Sequence, residues 1–241
     1  MAPLSEAEFD AFDAVVPITL DDHGVIDRAK AAGASIRTIS IPAAQLDICH
    51  DKLALSKRLA ALGYGNHVPR DLKFSALAAN DFPVVVKSRR SADGRGTFIV
   101  SSAAELEAHI PSLATGDAFL QELIPGDEEF AAHILLHDGL MVFTSTIRYQ
   151  MPQENLVKGH QHKPLNKHWL PYTPFKPLWH AVLRDLGIHS GTFCMDYRIR
   201  HGKPVLFEIN PRLGASLTRN MSNYLRVYMS CIHQRPRLGV G

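Results

Sequence analysis

The feature that most constrains the fold lies near the C-terminus, where two strand-like apolar segments, 191–200 and 204–209, are separated by only three residues. The connecting residues His201-Gly202-Lys203 have the length and glycine content of a hairpin turn. The pair is therefore predicted to form two strands that lie side by side, within a fold that contains antiparallel sheet.

This hairpin would bring three oxygen-bearing side chains, Asp196, Glu208 and Asn210, close to the guanidinium of Arg212. Mg²⁺ takes oxygen ligands and is commonly shared between one or two carboxylates and substrate phosphates. The pattern predicts a Mg²⁺ site, with Mn²⁺ as an alternative, in a chain that handles a nucleoside triphosphate.

Composition excludes several classes of protein. With 46% hydrophobic and 21% charged residues, the 241-residue chain is expected to be globular rather than disordered. The net charge is only +2 and the basic residues are not gathered into one stripe, so nucleic acid is not expected as a partner. No apolar run reaches the length of a membrane span, and a membrane partner is not expected either. The three cysteines are widely spaced and form no zinc pattern, which favours reduced thiols in a cytoplasmic protein.

The remaining segments predict short antiparallel strands with separate helices, an α+β architecture in two lobes. Strands are expected at 84–87, 97–100, 119–124, 130–136 and 140–147, and helices at 51–62, 103–110 and 178–186. Residues 13–48 are expected to form a small α/β unit, with strands at 15–18 and 36–41 around a helix at 24–32.

Residues 149–177 are polar and proline-bearing, and a structureless connection of this length is usually functional. Arg148, Lys158 and nearby histidines could recognise an anionic substrate there, although a surface loop with solvated charges explains them equally well. His160, His162 and His168 could also bind zinc, but they lack a fourth ligand, and a solvated loop is favoured.

Lys87 ends an apolar strand and is followed by a polar, glycine-bearing loop, residues 88–96, which contains Ser88, Gly94 and Gly96. Glycines allow successive backbone N–H groups to face an anion, and the lysine would add a positive charge to the same phosphates. An ordinary hairpin with an exposed lysine is the alternative.

The segment 121–128 forms a third candidate element, because its strand stops at Pro125-Gly126. An extended backbone offers one donor and one acceptor to an adenine edge, and a nearby carboxylate could hold the ribose hydroxyls. An ordinary acidic loop explains this segment without a ligand.

Taken in order from about residue 51 to 216, these elements resemble the ATP-grasp superfamily, which includes carbamoyl phosphate synthetase, biotin carboxylase and D-alanine–D-alanine ligase. The resemblance implies a two-lobed fold with ATP held between two antiparallel sheets, preceded here by a shortened N-terminal α/β unit. It divides the chain into a remnant of the N-terminal domain (1–50), a small lobe (51–125) and a large lobe with the metal site (126–241).

The resemblance also implies roles for individual residues. Lys52 and Lys87 would contact the phosphates, and Ser88, Gly94 and Gly96 would belong to the loop that covers them. The adenine and ribose would be held by Gln121, Glu122, Ile124 and Glu128, with Glu129 as the alternative ribose carboxylate. Asp196, Glu208 and Asn210 would bind Mg²⁺. Arg212 would touch the transferred phosphoryl group or the acyl substrate, and Lys87 would help to stabilise charge on the transferred group.

The implied reaction is the ATP-dependent ligation of a small-molecule carboxylate to an amine-type acceptor through an acyl phosphate. A carboxylate kinase that releases its acyl phosphate differs only in the second step. A nucleotide-binding module without chemistry is the other alternative, because only about fifty residues precede Lys52. A homodimer or a partner subunit would then complete the site.

Overall fold

The structure, a computed structural model, describes residues 9–233 and contains two antiparallel sheets. The strands of the first sheet are Asp71–Leu72 (β1), Val84–Ser88 (β2), Thr97–Val100 (β3) and Ala118–Glu122 (β4). They lie in the order β1-β4-β2-β3. This smaller sheet carries the lysine and the loop that were predicted to meet phosphates.

The second sheet has five strands, β5 to β9, which lie in the order β7-β6-β5-β8-β9. They are Glu128–His137 (β5), Leu140–Gln150 (β6), Asn166–Leu170 (β7), Gly191–Arg200 (β8) and Lys203–Asn210 (β9). The predicted α+β class with two antiparallel sheets is thereby confirmed, including both hairpins of the larger sheet.

None of the helices described is long and apolar enough to cross a membrane. The α-helices are Leu20–Ala31 (α1), Ala43–His50 (α2), Lys52–Leu59 (α3), Ala103–Leu106 (α4), Ile110–Ala114 (α5), Lys176–Asp185 (α6) and Met221–His233 (α7). Trp179 and Leu183 of α6 are fully buried in the main core against the larger sheet. Leu55 and Leu59 of α3 belong to the same core, so this helix packs with the larger sheet although its sequence position precedes the smaller one.

The N-terminal unit differs from its prediction. Residues 15–18 and 36–41 are not strands of either sheet, and a single backbone hydrogen bond, from Val15 N to Arg37 O at 2.9 Å, joins them. The apolar pattern of this segment reflects burial, because Ile39 and Ile41 lie in the cores beside the larger sheet. Helix α2, which the sequence analysis missed, follows Pro42 at its N-cap.

The polar connection 149–177 was predicted to lack regular structure, and this is wrong in part. Strand β7 lies within it and pairs with the end of β6, where Tyr149 lies opposite Lys167. The loop between these strands, residues 151–165, leaves the edge of the sheet and reaches the smaller sheet.

One face of the larger sheet presents polar side chains in register. Strand pairing sets Glu129 opposite Tyr149, His133 opposite Cys194 and Asp196 opposite Glu208. The register of β8 and β9 shifts immediately after Asp196, which leaves Phe207 as an extra residue in β9. Because side chains alternate along a strand, these residues project toward the same side. That side faces the smaller sheet.

Candidate active site

A cavity of about 600 Å³ lies between the two sheets. Cavities of a few hundred to about a thousand cubic ångströms are typical of small-molecule sites. Its walls include Val85 and Ile99 from the smaller sheet and Tyr149 and Cys194 from the larger one. Most of the predicted site residues line it: Lys52, Lys87, Gly94, Gln121, Glu122, Ile124, Asp196, Glu208, Asn210 and Arg212.

The predicted metal ligands meet on β8 and β9. Asn210 Nδ2 lies 2.8 Å from Glu208 Oε1 and 3.3 Å from Asp196 Oδ2, so the three side chains form one compact group. Burial raises the pKa of Asp196, against the opposing effect of Lys158. Burial also acts to raise the pKa of Glu208, but the charges of Lys52 and Lys87 outweigh it and lower that pKa.

This donor set fits Mg²⁺ in its chemistry, with two carboxylates and one amide and room for phosphate oxygens in the adjoining cavity. Within residues 9–233 there is no group of three or more His, Cys, Asp or Glu side chains arranged around a common metal position. The alternative of a zinc site at His160, His162 and His168 therefore gains no support. The three cysteines are free and buried.

Two buried lysines, one from the start of α3 and one from the smaller sheet, lie near the carboxylates. Lys52, at the start of α3, lies 3.6 Å from Glu208 Oε2 and also donates to Ser91 of the 88–96 loop. Lys87 Nζ donates to Phe207 O at 2.8 Å and so connects the two sheets. Burial lowers the pKa of Lys87 to about 8, with Glu208 opposing that effect.

The 88–96 loop makes backbone contacts with the 151–165 loop above the cavity. His160 N donates to Asp93 O at 2.8 Å. The side chain of Gln161 adds a contact to the first residue of β3, because its Nε2 donates to Thr97 O at 2.6 Å. A Cβ on Gly94 would lie 2.6 Å from Lys158 O, and one on Gly159 would lie 2.5 Å from Asp93 O. Only residues without a side chain allow this approach.

Ser88 and Gly96, two predicted members of the phosphate-binding loop, do not line the cavity. Ser88 N donates to Gly96 O at 2.7 Å, and a Cβ on Gly96 would lie 2.2 Å from Ser88 Oγ. These residues close the base of the loop, and Ser91, Asp93 and Gly94 face the cavity instead.

Lys158 belongs to the 151–165 loop, and its side chain lies among the carboxylates of the larger sheet. Its Nζ lies 3.0 Å from Asp196 Oδ1 and 3.1 Å from Glu129 Oε1, and 4.3 Å from the centroid of the Tyr149 ring. Although burial opposes it, these carboxylates raise the pKa of Lys158 well above its ordinary value. Arg148, the other basic residue predicted to meet a substrate, is instead paired with Glu128 at 3.3 Å.

The predicted nucleoside end of the site is formed by β4 and the start of β5. Gln121 donates to Asp71 at 3.0 Å, and Glu122 Oε1 accepts from Arg200 at 2.8 Å. Glu128, the first choice for the ribose, does not line the cavity, whereas the alternative Glu129 does. Adjacent strand residues face opposite sides, and the side of Glu128 is the one that meets Arg148.

Beyond the metal group, the cavity ends at Arg212, Gly214 and Ser216. His133, which is 1% exposed, places Nε2 2.9 Å from Ser216 Oγ, and Tyr149 also lines the cavity. Sequence reasoning missed these three residues. Tyr149 could have been placed on the same face of β6 as Ile147, because the two residues are two apart in the strand. Nothing in the local sequence indicated His133 or Ser216.

Comparison with known proteins gives matches to the sequence and to the fold. A model of the ATP-grasp domain matches residues 49–216. An N5-carboxyaminoimidazole ribonucleotide synthase of Synechococcus elongatus is 33% identical over 115 residues, which are 44% of this chain and 28% of that protein. A phosphoribosylamine–glycine ligase of Xanthomonas axonopodis pv. citri is 31% identical over 137 residues, covering 52% of this chain and 30% of that protein. The matched segments thus span less than a third of these curated relatives.

Two solved structures share the fold at low sequence identity. A biotin carboxylase-β,γ-ATP complex from Campylobacter jejuni has a TM-score of 0.67 at 15% identity, over 94% of this chain and 55% of that chain. A D-alanine–D-alanine ligase from Bacillus anthracis complexed with ATP has a TM-score of 0.60 at 19% identity, over 87% of this chain and 74% of that chain.

Proposed function

The chain belongs to the ATP-grasp family, and from this premise we propose that it binds ATP with Mg²⁺ and ligates a small-molecule carboxylate to an amine or related nucleophile. The observation that carries the proposal is the opposition of charges across one cavity. Asp196 and Glu208 on the larger sheet face Lys87 of the smaller sheet, and Lys52 at the start of α3 lies 3.6 Å from Glu208 Oε2. A nucleoside triphosphate with its cation needs both kinds of partner.

In the first step, a carboxylate oxygen attacks the γ-phosphorus and ADP leaves, which gives an acyl phosphate. In the second step, the nucleophile attacks the acyl carbon, phosphate leaves and the nucleophile's proton passes to solvent. Bound Mg²⁺ would neutralise charge on the β- and γ-oxygens. Asp196, Glu208 and Asn210 would hold the ion, and neither step needs a side-chain nucleophile.

The chain's own contribution would be positioning and charge balance. Lys52, Lys87 and Arg212 would stabilise negative charge on the transferred group. The 88–96 and 151–165 loops would exclude water, which hydrolyses acyl phosphates.

The names of the relatives support this reaction class, since one of them is a ligase of phosphoribosylamine and glycine. The proposed test is an ADP-release screen over amino acids, hydroxy acids and bicarbonate in the presence of MgATP. Hydroxylamine trapping would detect a released acyl phosphate and thereby separate a carboxylate kinase from a ligase. ADP release that no acid stimulates would contradict the proposal.

A second candidate, an ATP-binding module that needs another chain, is favoured by one observation. The matched part covers only 28–30% of the curated relatives. Calorimetry with MgATP, combined with the same screen in the presence and absence of neighbouring gene products, distinguishes the two. Binding without release by the chain alone, followed by release when a partner is added, would favour the module.

A further inference from the structure

One hydrogen bond joins the N-terminal helix α1 to the segment that follows the proposed metal group. His23 of α1 places Nε2 3.0 Å from Pro211 O. The imidazole is 2% exposed, so bulk water does not compete for this bond. Pro211 lies between Asn210, a proposed Mg²⁺ ligand, and Arg212, and both of these residues line the cavity. A side chain from the N-terminal unit therefore contacts the main chain of the site from outside the cavity.

The hydrogen atom of this bond lies on His23. A carbonyl oxygen only accepts, so Nε2 carries the proton and donates it to Pro211 O. Burial lowers the pKa of the imidazole, although the bond to Pro211 opposes the effect, so the ring is neutral near pH 7 and has one N–H group. An apolar side chain would also fill the buried face of α1 beside Ile26 and Ala29. The imidazole thus adds the hydrogen bond to what packing alone would require.

The bond from His23 fixes a peptide group that is also held at its other end. Pro211 O and Arg212 N belong to the same peptide, and Arg212 N donates to Asn210 O at 2.8 Å. Because a peptide group is planar, hydrogen bonds to its oxygen and from its nitrogen together set its orientation. This peptide is the link between a proposed metal ligand and the arginine that follows it.

Asn210 and Arg212 depend on this peptide to different degrees. The Asn210 amide is held by its own hydrogen bonds to the two carboxylates of the metal group. The Arg212 guanidinium donates to Leu213 O, in the residue next to it, at 3.1 Å. That carbonyl moves with the main chain, so the position of the guanidinium follows the orientation of the peptide before it. Leu213 is itself buried in a core that contains Ile39 of the N-terminal unit.

We propose that His23 is a positioning residue for Arg212, because its bond to Pro211 O holds the peptide that aims the guanidinium at the transferred group. The inference rests on the proposed function and extends it, since it makes the N-terminal unit part of the catalytic arrangement. His23 would be required for turnover, but not for the binding of ADP, which lacks the transferred group.

His23→Leu tests the bond, because leucine fills the buried position without a donor. ADP release by the full chain is measured at saturating MgATP with each acid that stimulates it. The value of kcat/KM for the acid is expected to fall by at least about tenfold, since a displacement of about 1 Å at a reacting group can cost about a hundredfold in rate. The affinity for MgADP, measured by calorimetry, should be unchanged. His67→Leu is the matched control, since His67 Nδ1 lies 3.0 Å from Pro204 O at the other end of β9.

Three further variants separate the hydrogen bond from the packing of α1. His23→Gln places an amide N–H near the Nε2 position and is expected to restore kcat/KM to nearly the wild-type value. His23→Asn has the same amide on a side chain one carbon shorter, and it is expected to behave as His23→Leu does. Ile26→Val loosens α1 without removing the donor, because Ile26 packs with Phe9 and Val15. Its kcat/KM should remain near that of the wild type.

Hydrogen exchange provides a measurement that does not depend on turnover. In the ligand-free protein, NMR should show the Arg212 amide exchanging about tenfold faster in His23→Leu than in the wild type, as expected when one hydrogen bond that holds its peptide is lost. The same amide should exchange at the wild-type rate in His23→Gln and in His67→Leu.

Four outcomes would overturn the inference. They are equal kcat/KM in His23→Leu and His67→Leu, an equal loss in Ile26→Val, failure of glutamine to restore activity where asparagine also fails, and an unchanged exchange rate of the Arg212 amide in His23→Leu. Absence of acid-stimulated ADP release in the wild type would overturn the proposed function instead. Exchange at the Arg212 amide would then still decide whether His23 holds this peptide.

Discussion

Lys158 Nζ lies 3.0 Å from Asp196 Oδ1, so a lysine of the 151–165 loop occupies the edge of the group proposed to bind Mg²⁺. The same ammonium is 3.1 Å from Glu129 Oε1. A divalent cation and this ammonium would both neutralise Asp196, so binding of the cation would be coupled to the position of the loop.

Lys158→Met should destabilise the ligand-free protein by about 3 kcal/mol, because it leaves Asp196 and Glu129 without their nearest cation. MgCl₂ should restore more stability to this variant than to the wild type, as the carboxylates would no longer be shared with an ammonium. Thermal unfolding with and without MgCl₂ measures both effects. Lys57→Met, at an exposed position on α3, is the control. An equal response to MgCl₂ in all three proteins would refute the coupling.

Glu208→Gln should reduce acid-stimulated ADP release by at least about a hundredfold, the range seen when one strong transition-state contact is lost. The amide keeps the size of the side chain but removes the charge that would face Mg²⁺. Initial rates at saturating MgATP provide the measurement, and Glu107→Gln on the exposed surface of the smaller lobe is the control. If the rate of Glu208→Gln equals that of the control, Glu208 is not a metal ligand.

MgATP binding should be accompanied by proton uptake near pH 8. Burial lowers the pKa of Lys87 from 10.5 to about 8, so about half of the ligand-free molecules have a neutral amine at that pH. Adjacent phosphates would favour the charged form and raise this pKa, which gives an uptake of about half a proton. Calorimetry in two buffers of different ionisation enthalpy measures it.

Lys87→Arg should abolish this uptake, since a guanidinium remains charged throughout the range. Identical uptake in both proteins would assign the proton to another group.

The lowered pKa of Lys87 also predicts how the stability of the ligand-free protein depends on pH. The unfolded chain holds the Lys87 proton up to about pH 10.5 and the folded chain only to about 8, so the contribution of Lys87 to stability rises with pH between these values.

Gly94→Ala should separate the two loops above the cavity. Its Cβ would lie 2.6 Å from Lys158 O, and the backbone has a φ of +70°. Gly202→Ala is a close control, because its φ is +73° and nothing lies within 4 Å of the added Cβ. Both variants share a strain of about 1 kcal/mol, but only Gly94→Ala should weaken MgATP binding, by about tenfold, and accelerate hydrogen exchange in residues 88–96 and 157–161. Equal exchange in the two variants would contradict this role for Gly94.

The parts of the fold that depend on local pattern could be predicted from the sequence. The hairpin that carries Asp196 and Glu208 follows from two apolar segments and a three-residue turn. The N-terminal strands were wrongly predicted because apolar runs report burial rather than pairing. Ile39, for example, packs beside α7, where its N–H has no strand partner and donates instead to Tyr228 Oη at 2.7 Å.

Contacts between distant segments could not be predicted in the same way. Lys158 reaches the carboxylates because Gly159 meets Asp93 backbone to backbone, and neither residue signals the other in the sequence. The choice between Glu128 and Glu129 depends on where the alternation of β5 begins, which two consecutive glutamates leave undetermined.

The meeting of Gly94 and Gly159 also limits how the site can be changed. The contact between the two loops is made by main-chain atoms at these glycines, so it cannot be altered by a change of side chain. Any residue larger than glycine at either position would force the loops apart. New substrate preferences would therefore have to arise from side chains of the two sheets that line the cavity below this contact.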